Sequence, residues 1–154
     1  MKVRISEHPF NPQDEEATFV DGRSEAGALV SFVGYCRNST AGKSVTALHL
    51  EHYKGFTERQ ITHFTQGVAR RYGLLDALVV HRVGTMCPGD AIVLVSALAV
   101  HRTEAFEGVQ VLMDYLKTDA PFWKKELGPD GERWIEPSEN DYARRAQMER
   151  NPYE

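Results

Sequence analysis

The chain has 154 residues, enough for one domain with a substantial core, and 42% of them are hydrophobic, as is usual for a globular protein. Its net charge of −4 argues against a protein whose main task is to neutralise a nucleic-acid backbone. No run approaches the roughly 18 apolar residues that cross a bilayer, and the N-terminus lacks a secretory signal pattern, so we expect a cytoplasmic protein without membrane contact.

The first half of the chain predicts strands that alternate with two helices. The predicted strands lie at residues 3–6, 26–33 and 45–53. Asn11 followed by Pro12 is typical of a helix start, and this helix should run to about Val20. A second, amphipathic helix is predicted to begin with Thr57 as its cap and to end at Gly73.

The second half predicts a β-hairpin followed by helices. Its two strongly apolar strands lie at residues 77–84 and 91–100. A helix then starts after His101 and ends near Lys117. Pro121 disfavours helical geometry in the residue before it, so we expect this proline to start a second, short helix that carries Lys124. The mixture of hairpins and helices predicts an α+β domain.

The end of the chain is polar. Residues 133–135 read as a last strand, and residues 1–140 are predicted to form a single domain. From Glu136 onward the sequence shows no core face. We therefore expect residues 141–154 to be a tail that is partly frayed, or ordered only on a partner.

The two cysteines indicate neither a disulfide framework nor a metal site. Cys36 and Cys87 lie far apart and form no CxxC pair, and the six histidines are scattered. Arg37 could favour a thiolate at its neighbour Cys36, but strand alternation would turn the two side chains to opposite faces. Cys36 is therefore predicted to be a small buried hydrophobic residue.

Cations gather around the last predicted helix in a chain that is acidic overall, which indicates a local anion site. A single lysine is usually a solvated residue near a helix end. Here Phe122 and Trp123 lie beside Lys124, and large aromatic rings can form a dry wall that lowers the pKa of an amine. Lys117 could approach Lys124 from a different direction.

Three further residues are candidates for the same anion site. His101 and Arg102 lie where a strand ends and a helix begins, a common position for functional groups. Arg37 follows the end of a strand and could clamp a phosphate or a carboxylate. The alternatives are a histidine that caps the helix and arginines in surface ion pairs.

The chain resembles the large, catalytic subunit of molybdopterin synthase. The resemblance covers roughly residues 1–140, where short pieces occur in order and at the spacing of that family. The pieces are Phe32-Val33-Gly34, Arg37-Asn38, Leu50-Glu51-His52-Tyr53, His81-Arg82-Val83-Gly84, Pro88-Gly89-Asp90, His101-Arg102, Ala105-Phe106, Met113-Asp114-Tyr115-Leu116-Lys117, Ala120-Pro121-Phe122-Trp123-Lys124-Lys125-Glu126 and Trp134. Cys36 departs from the pattern, because an aliphatic residue is expected there.

The resemblance implies a specific reaction. The family converts cyclic pyranopterin monophosphate to molybdopterin by adding two sulfur atoms as a dithiolene. The donor is a thiocarboxylate on the C-terminal glycine of a small ubiquitin-like subunit. A homodimer of large subunits carries one small subunit at each end, which makes a heterotetramer. The implied fold is an α/β-hammerhead-type domain with an additional small β subdomain, and the reaction needs no metal or other cofactor.

The resemblance also implies roles for individual residues. Lys117 and Lys124 would be catalytic and would contact substrate. The other substrate-binding residues would be Arg37, His101, Arg102, Lys125 and Glu126. Two rival hypotheses stay open: a non-catalytic α+β module that binds anions or RNA, and an enzyme that forms a Schiff base on Lys117.

Overall fold

The computed structural model describes residues 1–150, with side chains through residue 147. Its strands are β1 (Lys2–Ser6), β2 (Ala28–Tyr35), β3 (Ser39–Thr40), β4 (Lys43–Ser44), β5 (Ala47–His52), β6 (Asp76–Arg82), β7 (Gly84–Met86), β8 (Ala91–Ala99), β9 (Phe122–Gly128) and β10 (Gly131–Ile135). Its helices are α1 (Pro12–Val20), α2 (Phe56–Tyr72), α3 (Arg102–Thr118) and α4 (Glu139–Arg150). The α+β prediction is confirmed.

Four strands form the first sheet, in the order β1-β6-β8-β2. β1 runs parallel to β6, whereas β6 and β2 both run antiparallel to β8. The predicted pairing of β6 with β8 is therefore confirmed. The apolar run at residues 26–33 is typical of a buried strand, but β2 is an edge strand and its Phe32 is exposed.

Helices cover both faces of this sheet. α2 and α3 pack on one face, where Ile61 and Leu112 meet Val79 and Val95. On the opposite face, Phe19 of α1 and Phe10 just before this helix pack against a second cluster of the sheet: Leu78, Val80 and Leu94. Because both faces are covered, β6 and β8 are buried along most of their length, and each large aliphatic side chain contributes about 1.5–3 kcal/mol.

The second sheet is antiparallel, in the order β10-β9-β5-β7. It is the additional small β unit that the resemblance implies. A separate core joins it to the first sheet: Cys36, Leu48, Leu50, Val83 and Met86. The prediction that Cys36 is a small buried residue is confirmed, with 5% exposure.

Helix ends follow their local signals in most cases. Asn11 accepts hydrogen bonds from the N–H groups of Gln13 and Asp14, and Gly73 ends α2 at a positive φ of 65°. The prediction that Thr57 caps α2 is wrong, because Gly55 is the residue before the helix. The Thr57 hydroxyl instead accepts from the Tyr53 N–H and donates to the carbonyl of Pro121, each at 3.0 Å.

The predicted short helix after Pro121 is wrong, since this segment is the strand β9. In the sheet, Lys124 lies opposite Leu50 of β5 and Ile135 of β10. Pairing with strands distant in sequence therefore overrides the local signal for a helix start. The local argument that Pro121 stops α3 from continuing is correct, because α3 ends at Thr118.

The expectation of a frayed tail is also wrong up to residue 150. Ser138 caps α4, and this helix packs on α3 through the ion pairs Arg144–Asp114 at 3.7 Å and Arg145–Asp119 at 3.2 Å. Residues 151–154 of the predicted tail lie outside the described residues. No helix within residues 1–150 is both long and apolar enough to cross a membrane.

Candidate active site

Strand β9 places neighbouring site candidates on opposite faces of the second sheet. Side chains alternate along a strand, so Lys124 shares the inward face with Phe122 and Glu126, whereas Lys125 points outward. There the Lys125 ammonium lies 3.0 Å from Glu132. The two lysines therefore lie on opposite faces of β9, and substrate binding by Lys125 stays a prediction.

Lys117 and Lys124 reach the same region from different elements. Lys117 is in the last turn of α3, and its side chain is 53% exposed. Lys124 is more buried. Burial lowers the pKa of Lys124 below its ordinary value, and the positive charges of Lys117 and Arg37 lower it further. The carboxylates of Glu126 and Asp141 act in the opposite direction.

Glu126 is occupied by its protein neighbours. It is 8% exposed and accepts hydrogen bonds from the Thr40 hydroxyl at 2.8 Å and from the Arg133 guanidinium at 2.6 and 3.0 Å. These bonds tie β3 and β10 to β9. The arrangement favours a role in holding β9 and in supplying negative charge behind Lys124 over direct contact with substrate.

The remaining predicted cations do not all join the lysines. Arg37 is exposed between β2 and β3, close enough for its charge to act on Lys124. His101 and Arg102 lie at the start of α3, whereas Lys117 lies in its last turn. These two ends are roughly 24 Å apart, from the rise per residue of an α-helix. One chain therefore does not assemble the predicted anion clamp.

His81 is a site neighbour that the sequence analysis did not single out. Its ring stacks on Phe122 with the ring centres 4.1 Å apart, and Nδ1 lies 2.9 Å from the carbonyl oxygen of Arg82. A carbonyl only accepts, so Nδ1 carries the proton of the neutral ring. Burial, and then the charges of Lys124 and His52, lower the pKa of His81 to about 4.

Asp141 of α4 is the second residue that was missed. One of its carboxylate oxygens lies 3.9 Å from the Lys117 ammonium, and the other accepts hydrogen bonds from Ser138. A signal for it exists in the sequence, because a serine followed three residues later by an acid is typical of a capped helix start.

The last features of the site are the Cys36 thiol and the side chains that could hold a metal ion. Burial, followed by the negative charge of Asp90, raises the pKa of the Cys36 thiol, which does not suit a nucleophile. Among the side chains that the structure describes, which end at residue 147, no group of three or more His, Cys, Asp or Glu residues is placed to hold a metal ion.

Comparison with known sequences decides the family. Residues 5–119 match the family model described as MoaE protein. The chain belongs to the MoaE family. A MoaE relative from Caulobacter vibrioides, named molybdopterin synthase catalytic subunit, is 49% identical over 141 residues, which are 92% of this chain and 93% of the relative. The family match ends at Asp119, so it includes Lys117, whereas the strand with Lys124 lies beyond it.

Solved structures of similar proteins show the same architecture. A molybdopterin biosynthesis MoaE protein from Burkholderia ambifaria aligns with a TM-score of 0.79 and 41% identity, over 96% of this chain and 97% of that one. A chain in the protein–protein complex of subunits 1 and 2 of molybdopterin-converting factor from Helicobacter pylori aligns at 0.72 with 18% identity, over 89% and 90%. At that identity the second likeness shows the fold alone.

Proposed function

We propose that this chain is the catalytic subunit of a molybdopterin synthase, which adds two sulfur atoms to cyclic pyranopterin monophosphate. The observation that carries the proposal is the lysine pair, in which an exposed Lys117 faces a more buried Lys124 whose pKa is lowered. A preorganised ammonium in a water-poor site stabilises developing negative charge and can also transfer a proton. The names of the MoaE relatives support this reading.

We assign the sulfur donor to a small ubiquitin-like subunit that ends in a thiocarboxylate. In each transfer, the thiocarboxylate sulfur bonds to a substrate carbon and a carbon–oxygen bond at that carbon breaks. The oxygen leaves as water, or stays on the phosphate when the cyclic ester opens. Water then attacks the acyl carbon of the donor, and the carbon–sulfur bond of the donor breaks. The donor leaves as a carboxylate, and the sulfur stays on the pterin. The exposed Lys117 ammonium suits the incoming anionic tail, and Lys124 suits proton transfer at the substrate.

We assign the substrate phosphate to Arg37 together with His101 and Arg102 of a second copy of the chain. Within one chain, roughly 24 Å separates the two ends of α3. In a homodimer, the start of α3 from one protomer could face the lysine pair of its partner. Val100 and Phe106 flank His101 and Arg102 and are 50% and 61% exposed, so they offer apolar surface for self-association.

A subunit-mixing experiment tests the shared site. The Lys117→Ala and Arg102→Ala variants should each be inactive as homodimers. Mixing and refolding them should restore activity, because a mixed dimer carries one site with both Lys117 and Arg102 intact. If each site uses residues of one chain only, no intact site can form, and absent recovery would refute the shared site.

The proposed reaction itself is tested by reconstitution. The purified chain is mixed with a thiocarboxylated small subunit and the cyclic phosphate, and the dithiolene product is measured. We expect product with the complete mixture and little or none with the chain and inorganic sulfide. If borohydride instead traps substrate on Lys117, the Schiff-base alternative is correct; RNA binding without turnover would favour the non-catalytic module. A cytoplasmic location stays a prediction.

A further inference from the structure

The N-terminal part of α4 is held beside the lysine pair by charged contacts on both sides of Lys117. Arg144 pairs with Asp114 at 3.7 Å, one turn before Lys117 on α3. Arg145 pairs with Asp119 at 3.2 Å, just after it, and lies 5.4 Å from the centre of the Phe64 ring. These contacts fix where the side chains of α4 meet the end of α3.

Asp141 is the α4 residue that reaches the lysines. Its Oδ2 accepts from the backbone N–H of Ser138 at 2.9 Å and from its hydroxyl at 2.7 Å. Its Oδ1 lies 3.9 Å from Lys117 Nζ, and the side chain is 24% exposed. Burial alone would raise the pKa of Asp141, but the bonds from Ser138 and the charges of Lys117 and Lys124 hold it below its ordinary value. Asp141 is therefore an oriented carboxylate anion.

Charged groups face Lys124 from the elements around it. They are Lys117 on α3, Asp141 on α4, Glu126 on β9 itself, Arg37 after β2, and the imidazole of His81 on β6, with His52 of β5 beyond it. Glu126 already pairs with Arg133. Glu126 has the larger effect on Lys124, and Asp141 is the second carboxylate that raises the pKa of this lysine. Asp141 also lies 3.9 Å from the Lys117 ammonium, so it can offset the mutual repulsion of the two lysines, since like charges held together in a partly buried site oppose ionisation.

We propose that Asp141 is a positioning residue of the lysine pair, which orients the Lys117 ammonium and offsets its repulsion of Lys124. The inference rests on the proposed function, in which both lysines act on substrate. In this role α4 is a working part of the site rather than a cover over it. Asp141 itself need not touch substrate.

Three variants test the inference. Asp141→Asn removes the charge but keeps an oxygen that can accept from Ser138, so the cap of α4 is retained. Asp141→Glu keeps the charge. Glu139→Gln is the matched control, because it removes an exposed acid from the same helical turn. Thermal unfolding of each variant checks that the fold is intact.

The first measurement does not depend on turnover. The rate at which an amine-acetylating reagent modifies Lys124 is followed against pH by mass spectrometry. Loss of the Asp141 charge should move this reactivity profile to lower pH in Asp141→Asn, whereas Asp141→Glu and Glu139→Gln should keep the wild-type profile. An unchanged profile in Asp141→Asn would overturn the inference.

The second measurement is kcat against pH in the reconstituted reaction. If Lys124 acts as an ammonium, the alkaline limb of Asp141→Asn should move to lower pH, with kcat at pH 9 about threefold or more below wild type. A kcat at or above wild type with an unmoved limb would show that α4 only covers the site. A shifted labelling profile in a chain that makes no dithiolene would refute the proposed function and leave the pairing intact.

Discussion

Acidification should destabilise the chain through His81, because a neutral imidazole is built into the interior. The pKa of His81 is lowered to about 4, first by burial and then by the charges of Lys124 and His52. In the unfolded chain the same ring titrates near pH 6.5. Above that pH both states are neutral and the full stability is present. Below it the unfolded state binds a proton that the folded state does not, so stability falls until the pH reaches about 4.

The size of the effect follows from the difference between the two pKa values. Each pH unit of difference corresponds to about 1.4 kcal/mol, so the pKa shift to about 4 gives a maximum loss of about 3.4 kcal/mol. At pH 5 the loss relative to pH 7.5 should be about 2 kcal/mol. The ring is 6% exposed, so solvent does little to screen this interaction.

Urea unfolding at pH 7.5 and pH 5.0 measures this contribution at one fixed protein concentration. We compare the wild-type chain with His81→Gln, and use His63→Gln as the control because His63 is exposed. The quantity compared is the decrease in the free energy of unfolding from pH 7.5 to pH 5.0. This decrease should be about 2 kcal/mol smaller in His81→Gln than in the wild-type chain or in His63→Gln. If His81→Gln keeps the wild-type pH dependence, the reasoning is wrong.

Three further outcomes are expected. Lys124→Ala should lower turnover at least about a hundredfold in single-turnover assays, with an unchanged fold; near-normal rates would remove this lysine from the chemistry. Arg37→Ala should weaken binding of the cyclic phosphate about ten- to a hundredfold in a titration, and Arg37→Lys should recover only part of it. Gly27→Ala should lower stability by about 1–3 kcal/mol in thermal unfolding, because a Cβ would collide with the carbonyl of Val100. Gly67→Ala, in open space within α2, should not.

Elements with strong local signals could be predicted from the sequence. The Asn11 cap and the left-handed Gly73 act on hydrogen bonds within a few residues, so their effect is readable along the chain. The continuous apolar runs of β6 and β8 likewise predict a pair of buried strands. The lysines could be predicted as site candidates because aromatic residues stand beside them.

The missed features depend on contacts between residues distant in sequence. β9 is a strand because Phe122 pairs with His52, seventy positions earlier, and no local pattern records that partner. α4 has little apolar surface of its own, so its docking depends on Arg144 and Arg145 finding acids on α3. His101 and Lys117 lie at opposite ends of α3 and are therefore far apart. Noting which cations are close together in the sequence does not show this separation.

The two faces of β9 impose a parity rule on the chain between Pro121 and the turn after Gly128. Inserting or removing a single residue there would move all the side chains that follow to the opposite face. Trp123 or Lys125 would then point inward, and Lys124 would point outward. Inserting two residues would keep the faces and shift only the register. Natural length variation in this protein should therefore be confined to the loops, and a library that seeks new activities can vary the outward positions of β9 while leaving its length untouched.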